Sequence, residues 1–325
     1  MFTNKVLGFN VNGIGNGHIT QAKMIYKCFM KYNIQVPIVV IYGRKQCIEI
    51  TNMFPLATLI FKKTQTTNES MNNNNILKLT YDLFSNKKTL QFEKSHGINT
   101  WINFFAVDLF NTSTSTKIQV SSQICLPNIE LKILKLLFRL NSQKLVSLVD
   151  NPSFVDHSIP SLISTDNISR KRINNKLILA YSVSGTDFHK TLKQIASNNP
   201  KYIFHYFTNS DVRVTLPKNC HLYKPSGEFK QFLKICGGVL CTSGNELIQE
   251  CCYNEIPVAT MPCSSKQYEQ VYNCNLYVNK LKFASKMSSD MNLNSFVSKN
   301  NKSICNEFKQ KLRNQDNAIL KILEL

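Results

Sequence analysis

Lys5-Val-Leu-Gly-Phe-Asn-Val-Asn-Gly-Ile-Gly-Asn-Gly-His18 is the stretch on which the fold turns. Lys5–Val11 is an apolar run of strand length, and Gly13, Gly15 and Gly17 then punctuate a turn. Gln21–Lys31 follows with helical spacing, which puts Ala22, Ile25, Phe29 and Met30 within reach of one face. Val36–Tyr42 (VPIVVIY) is the continuous β-branched run expected of a strand buried on both sides. Strand, glycine turn, helix and buried strand make the βαβ signature of a parallel sheet. Three glycines in the turn let the backbone bend tightly and approach a ligand closely. The helix behind them offers unpaired N–H groups and the positive end of its dipole. A dinucleotide site would add an acidic ribose reader about 20 residues later. Tyr32–Arg44 holds no Asp or Glu, which weakens that reading. His18 ends the turn; histidine ordinarily titrates near pH 6.5, which suits a general base. The plainer alternative is that His18 caps the helix or packs in the turn.

The same alternation recurs outward. Ile102–Phe110 and Lys117–Ser121 read as strands, and Pro127 with Asn128 introduces a helix running to about Leu145. Thr64–Asn75 is polar and low in complexity, the composition of a loop. Between Asp150 and Arg172 periodicity is lost and Pro152 and Pro160 collect, which marks a domain boundary. Beyond it come strand Lys176–Val183, a helix from Phe188, strand Tyr202–Phe207 and a helix near Gly227–Cys236. Strand Val239–Cys241, a helix from Glu246, strand Val258–Met261 and a helical pattern over Ile304–Leu325 complete the series. The expected organisation is an N-terminal Rossmann-like domain over 1–155, a linker over 156–172, and a second βα domain over 173–325. The last helix has the option of packing back on the first domain.

Composition bounds the function. The 325 residues carry Lys+Arg 39 against Asp+Glu 20, a formal charge of +19 that draws phosphate-bearing partners. At 43% hydrophobic, the chain has enough apolar surface for real cores, which excludes wholesale disorder. The N-terminus lacks a signal-peptide pattern and no stretch reaches the roughly 18–20 apolar residues of a membrane span. The 11 cysteines are an odd number without a CxxC pair, so free thiols in a cytoplasmic setting are expected rather than a disulfide framework or zinc site.

In the second half, Gly237-Gly-Val-Leu-Cys-Thr-Ser-Gly-Asn-Glu-Leu-Ile-Gln-Glu250 reads strand, Ser-Gly turn, helix. The N–H groups over Gly244–Leu247 can cradle a diphosphate. Glu246 and Glu250 lie one helical turn apart, and a carboxylate is a good acceptor for a ribose diol. A solvated glutamate pair is the plainer reading. Pro257–Pro262 is followed by Gln267, Glu269, Gln270 and Asn273, side chains able to read sugar hydroxyls or simply to open a polar helix.

Taken together, GIGNGHITQA (Gly13–Ala22), VLCTSGNELIQECCYNEIPVATMP (Val239–Pro262) and QYEQVYN (Gln267–Asn273) resemble the GT-B glycosyltransferases of the MurG-like, family-28 type. A weaker echo is Asp108 at a strand end with Ser122 and Gln123. The segments lie in both halves and in family order. The resemblance implies two Rossmann-like domains facing each other across a cleft. It places His18 as catalytic base. Ser243, Gly244, Asn245, Glu246 and Leu247 fall on the donor-phosphate turn, Glu250 on the uridine ribose, and Gln267, Glu269 and Gln270 on the donor sugar. Ser184 and Gly185 fall on the turn that opens the second domain; the family usually has another glycine there. Gln267 replaces a commonly acidic position. Asp108 and Gln123 fall on the acceptor side.

The implied reaction is transfer of a hexose or N-acetylhexosamine from a UDP-sugar to a lipid-linked or glycan hydroxyl, with inversion. Helix N-termini take the leaving-group charge, so no metal or other cofactor is expected, and the chain has no Asp-x-Asp pair. Leu131–Leu148, with Lys132, Lys135 and Arg139 at helical spacing, is either an interfacial membrane anchor or a core helix. Two other functions fit the residues. One is glycosylation of hydroxylated bases in DNA, which the charge suits. The other is a non-catalytic sugar-nucleotide-binding subunit, against which the joint presence of His18, Glu250, Glu269 and Gln270 argues.

Overall fold

The computed structural model describes residues 6–13, 16–43, 45–62, 87–104, 115–121, 144–147, 157–159, 161–163, 170, 173–182, 186–208, 211–224, 227–265, 267–299 and 301–323. In chain order these form β1 (Val6–Asn12), α1 (Asn16–Lys31), β2 (Ile38–Tyr42), α2 (Ile48–Thr51), β3 (Thr58–Lys62), α3 (Lys87–His96), β4 (Ile98–Phe104), β5 (Thr116–Ser121), β6 (Lys144–Ser147) and β7 (His157–Ser158). Then come β8 (Asn174–Ser182), α4 (Thr186–Asn198), β9 (Ile203–Thr208), β10 (Cys220–Tyr223), α5 (Glu228–Ile235), β11 (Cys236–Thr242), α6 (Asn245–Tyr253) and β12 (Val258–Met261). The chain finishes with α7 (Tyr268–Asn275), a π-helical turn (Leu276–Lys280), β13 (Ala284–Lys286), α8 (Leu293–Val297), α9 (Lys302–Leu312) and α10 (Gln315–Leu323).

The chain divides into two units: Met1–Ile163 with Asn314–Leu325, and Ser164–Arg313. The helical pattern read over Ile304–Leu325 is therefore two helices, α9 in the second unit and α10 in the first. Within the first unit, Lys31 Nζ lies 2.6 Å from Asp316 Oδ2, Gln315 Nε2 donates to the Ser161 carbonyl, and Ile319 is buried.

Each unit holds one parallel sheet. The first runs β3-β2-β1-β4-β5-β6-β7 and the second β10-β9-β8-β11-β12-β13. In both, the order reverses direction beside the first strand, at β1/β4 and at β8/β11. In sheets of this kind ligands bind outside the carboxyl ends of the strands at that reversal.

Alternation along each strand fills two layers. In the first unit Phe9, Val11, Ile102, Phe104, Ile118 and Val120 face one side, where Phe9 meets Phe29 and Phe104 edge-on at 5.4 Å. Val40, Tyr42, Ile98 and Trp101 face the other. In the second unit Leu179, Val239 and Cys241 face one layer and Ile178, Ala180 and Leu240 the opposite one. Burial on both faces is why these strands read as continuous apolar runs.

The helix expected to reach Leu145 is corrected at its end. Lys144–Ser147 is a strand, β6, pairing with β5 from Ile118↔Lys144 to Ser121↔Ser147, with Val146 fully buried. Helical spacing over Leu131–Leu148 continues past the point where the sheet captures the chain, because a four-residue strand carries too few positions to break a 3.6-residue pattern. The remainder of that stretch, and the loop read over Thr64–Asn75, lie outside the described residues. Conversely α1 starts at Asn16, so the turn is shorter than read and His18 sits in the first turn of the helix.

Candidate active site

The predicted residues lie on βα turns of both units. In the first unit β1 ends at Asn12, the Gly13 N–H donates to the Tyr42 carbonyl at 2.8 Å, and α1 begins at Asn16. Gly17 and His18 are both half-buried in the first turn of α1; Gly15 lies outside the described residues.

In the second unit the turn after β11 is held by a buried polar network. The Ser243 N–H donates to the Met261 carbonyl at 3.0 Å, and the Ser243 and Thr260 hydroxyls lie 3.0 Å apart. Asn273 Nδ2 donates to the Ser243 carbonyl at 3.1 Å, which ties α7 to the turn. Gly244 is the N-cap of α6, with φ −70 and ψ 139, and supplies no side-chain cap. A Cβ at Gly244 would meet nothing nearer than the Thr242 carbonyl at 4.0 Å. Among the described residues, neither backbone conformation nor steric packing demands glycine there.

The first residues of α6 differ in burial. Asn245 is buried; its Oδ1 accepts from the Tyr277 hydroxyl and from Gln249 Nε2 at 3.3 Å, while Gln249 Nε2 also lies 2.7 Å from the Tyr277 oxygen. Burial, reinforced by the Glu246 charge, raises the Tyr277 hydroxyl well above its ordinary range, so it stays a donor. The Asn245 side chain is thereby committed to the interior. Glu246, Leu247 and Glu250 are half-buried, with Leu247 packed against the core.

After β12, the Cys263 N–H donates to Gln270 Oε1 at 2.9 Å and the Cys263 thiol donates to Gln267 Oε1 at 2.7 Å. Both glutamine oxygens are used internally. Glu269 lies in the first turn of α7. Ser182 closes β8 with its hydroxyl 2.5 Å from that of Tyr206; Ser184 and Gly185, which follow, lie outside the described residues, as do Asp108 and Gln123. The structure therefore gathers Ser243, Gly244, Asn245, Gln267 and Gln270 around the β11 and β12 ends of one sheet.

One group escaped the sequence reading. Asn10, Asn103 and Gln119 stand in one row across β1, β4 and β5, exposed by only 0, 4 and 1%. Among the described residues, both polar atoms of the Asn10 amide, Asn103 Oδ1 and Gln119 Nε2 have no hydrogen-bond partner. Polar residues inside otherwise apolar strands were the available signal.

The sequence model of glycosyl transferase family 1 matches residues 125–300, more than half of the chain, including the β11–α6 turn and α7. The chain belongs to glycosyl transferase family 1. No curated protein matches this glycosyltransferase in sequence. Solved structures similar to it include Medicago truncatula UGT71G1 complexed with UDP-glucose, at 12% identity and a TM-score of 0.71, covering 100% of this chain and 98% of that one. Acinetobacter baumannii MurG is similar at 11% identity and a TM-score of 0.55, covering 99% and 98%. Neisseria meningitidis UDP-GlcNAc 2-epimerase bound to UDP-GlcNAc is similar at 11% identity and a TM-score of 0.55, covering 98% of each chain. These likenesses establish the fold, an α/β GT-B architecture. Among the described residues no helix of this glycosyltransferase is long and apolar enough to cross a membrane.

Proposed function

We propose that the chain transfers a hexose or N-acetylhexosamine from a UDP-sugar to a hydroxyl of a lipid-linked or glycan acceptor in the cytosol, with inversion and without a metal. The observation that carries this is the Gly244 turn. A glycine that packing among the described residues does not require caps a helix N-terminus without a side-chain cap, at the carboxyl end of a sheet. Such a turn suits close approach of a diphosphate, whose charge the first N–H groups of α6 and the helix dipole stabilise as it departs. Glu250 accepts from the ribose diol one turn along the helix.

With their oxygens held by Cys263, Gln267 and Gln270 present their Nε2 groups, which suits donation to sugar hydroxyls. His18, in the first turn of α1, takes the acceptor proton as the hydroxyl attacks the anomeric carbon. The donor class is supported by the UDP-glucose and UDP-GlcNAc bound to two of the similar structures. The acceptor class rests on the family-28 likeness of Gly13–Ala22 and on the +19 charge, which favours anionic surroundings.

A thermal-shift titration with UDP, GDP and ADP tests the donor assignment. A ligand of the folded state at 100 times its Kd adds about 2.7 kcal/mol. UDP alone should raise the melting temperature, and Glu250→Ala should lose that shift. No shift with any nucleotide sinks the donor site and leaves a non-catalytic subunit. Transfer is then assayed with UDP-sugars, where His18→Ala should lower kcat by about 10²–10⁴ while UDP binding persists. Release of UDP that requires glucosylatable DNA would instead select the nucleic-acid acceptor.

A further inference from the structure

At the opposite edge of the second unit's sheet, where β8 and β11 begin, a cavity of about 180 Å³ opens between α6 and α9. Its walls include Arg170, Glu255, Lys299 and Lys302, and two cysteines, Cys252 of α6 and Cys305 of α9. The two sulfurs are 3.8 Å apart, in van der Waals contact, with the Cys252 thiol donating to Cys305 Sγ. Each cysteine is only 2% exposed, and the cavity that both line gives them a route to solvent. A small oxidant needs little room: a water-sized molecule occupies on the order of 30 Å³.

We propose that Cys252 and Cys305 form an oxidisable dithiol that hydroperoxides convert into an intramolecular disulfide joining α6 to α9. Nothing in glycosyl transfer uses this pair, and the inference stands apart from the donor site at the other end of β11. Three features support it. The sulfurs lie 3.8 Å apart on two neighbouring helices, so the about 2 Å separation of a disulfide asks for less than about 2 Å of approach. The hydrogen bond from Cys252 favours the Cys305 thiolate and lowers its titration, with Lys309 pulling the same way against burial and the Glu255 charge. The reverse holds for Cys252, which that hydrogen bond and burial raise, leaving it the resolving thiol. Lys309 is held in place by Glu255, their nitrogen and oxygen 2.5 Å apart.

In the reaction the Cys305 thiolate attacks one peroxide oxygen. The O–O bond breaks, hydroxide leaves and is protonated to water, and Cys305 becomes a sulfenic acid. Cys252 then loses its proton and attacks the Cys305 sulfur; the S–O bond breaks, a second water leaves, and the S–S bond forms. Two thiols are oxidised and one peroxide is reduced to two waters.

The test treats the folded full-length chain with hydrogen peroxide, alkylates the remaining thiols and maps peptides by mass spectrometry. The expected result is loss of two thiols per chain and a cross-linked Cys252–Cys305 peptide that dithiothreitol abolishes. In Cys252→Ser, Cys305 should accumulate as a dimedone-trapped sulfenic acid; in Cys305→Ser, Cys252 should stay reduced. Cys220, buried in the other core layer with its thiol pushed up to about 12, should remain unmodified throughout. The proposal is overturned if folded wild-type protein keeps both thiols, or if Cys305 proceeds to sulfinic acid beside a free Cys252. The wild-type map decides this even where a serine variant fails to fold.

Discussion

At the start of β11, a Cβ on Gly237 would lie 2.7 Å from the Asn175 Cα, and one on Gly238 would lie 2.6 Å from the Phe296 ring. At the end of the same strand, a Cβ on Gly244 would find its nearest neighbour at 4.0 Å. The first two glycines are there because neighbouring backbone and an aromatic ring occupy the space a side chain would need. The β11–β8 register shifts between Cys236 and Gly238, so Gly237 sits where the two strands approach irregularly. Among the described residues Gly244 has no such steric cause. Glycines seven residues apart thus answer to different pressures, packing at one end and, on our reading, a ligand at the other.

The largest effect should come at the packed end. Gly237→Ala forces a Cβ into backbone that cannot rotate away, and overpacking of this kind costs about 1–3 kcal/mol. Thermal unfolding should show it as a lowered melting temperature, with the UDP-induced increment retained in the surviving folded protein. If Gly237→Ala proved neutral, the assignment of that glycine to packing would fail.

An intermediate effect is expected behind the open end. Tyr277→Phe leaves the buried Asn245 oxygen without its hydroxyl donor, which costs about 1–2 kcal/mol. Denaturant unfolding should show a lower midpoint with an unchanged slope. The smallest change in stability should come from Gly244→Ala. Its φ and ψ suit any residue, so alanine gains about 0.4–1 kcal/mol by restricting the unfolded chain, and it loses a comparable amount as a poorer N-cap than glycine, which leaves stability nearly unchanged. The same variant should bind UDP less well, because the methyl group fills the space above the turn. A Gly244→Ala variant of unchanged stability and undiminished UDP affinity would break the contrast between the two ends of the strand.

Both parallel sheets were legible in sequence wherever strands are buried on two faces, as at Val36–Tyr42 and Val239–Cys241. Short or edge strands were not. β10 and β13 are four and three residues long, and β6 hides inside helical spacing, so periodicity has too few positions to register them. At the site, the glycine turns were visible because turn chemistry is local. Which side of α6 faces inward was not, since Asn245 and Gln249 form a polar i,i+4 pair whose partner, Tyr277, is distant in sequence. The amide row of Asn10, Asn103 and Gln119 was equally hidden, because register across three strands is a tertiary fact.

The return of Asn314–Leu325 to the first unit makes the second unit an insertion, entered and left through two peptide junctions. A single nick at either junction leaves the halves covalently joined through the other. Residues 164–313 can be excised as one continuous gene segment, whereas the first unit must be stitched from two pieces. Removing the last dozen residues would therefore injure the unit that holds His18, although those residues lie next to the second unit in the gene.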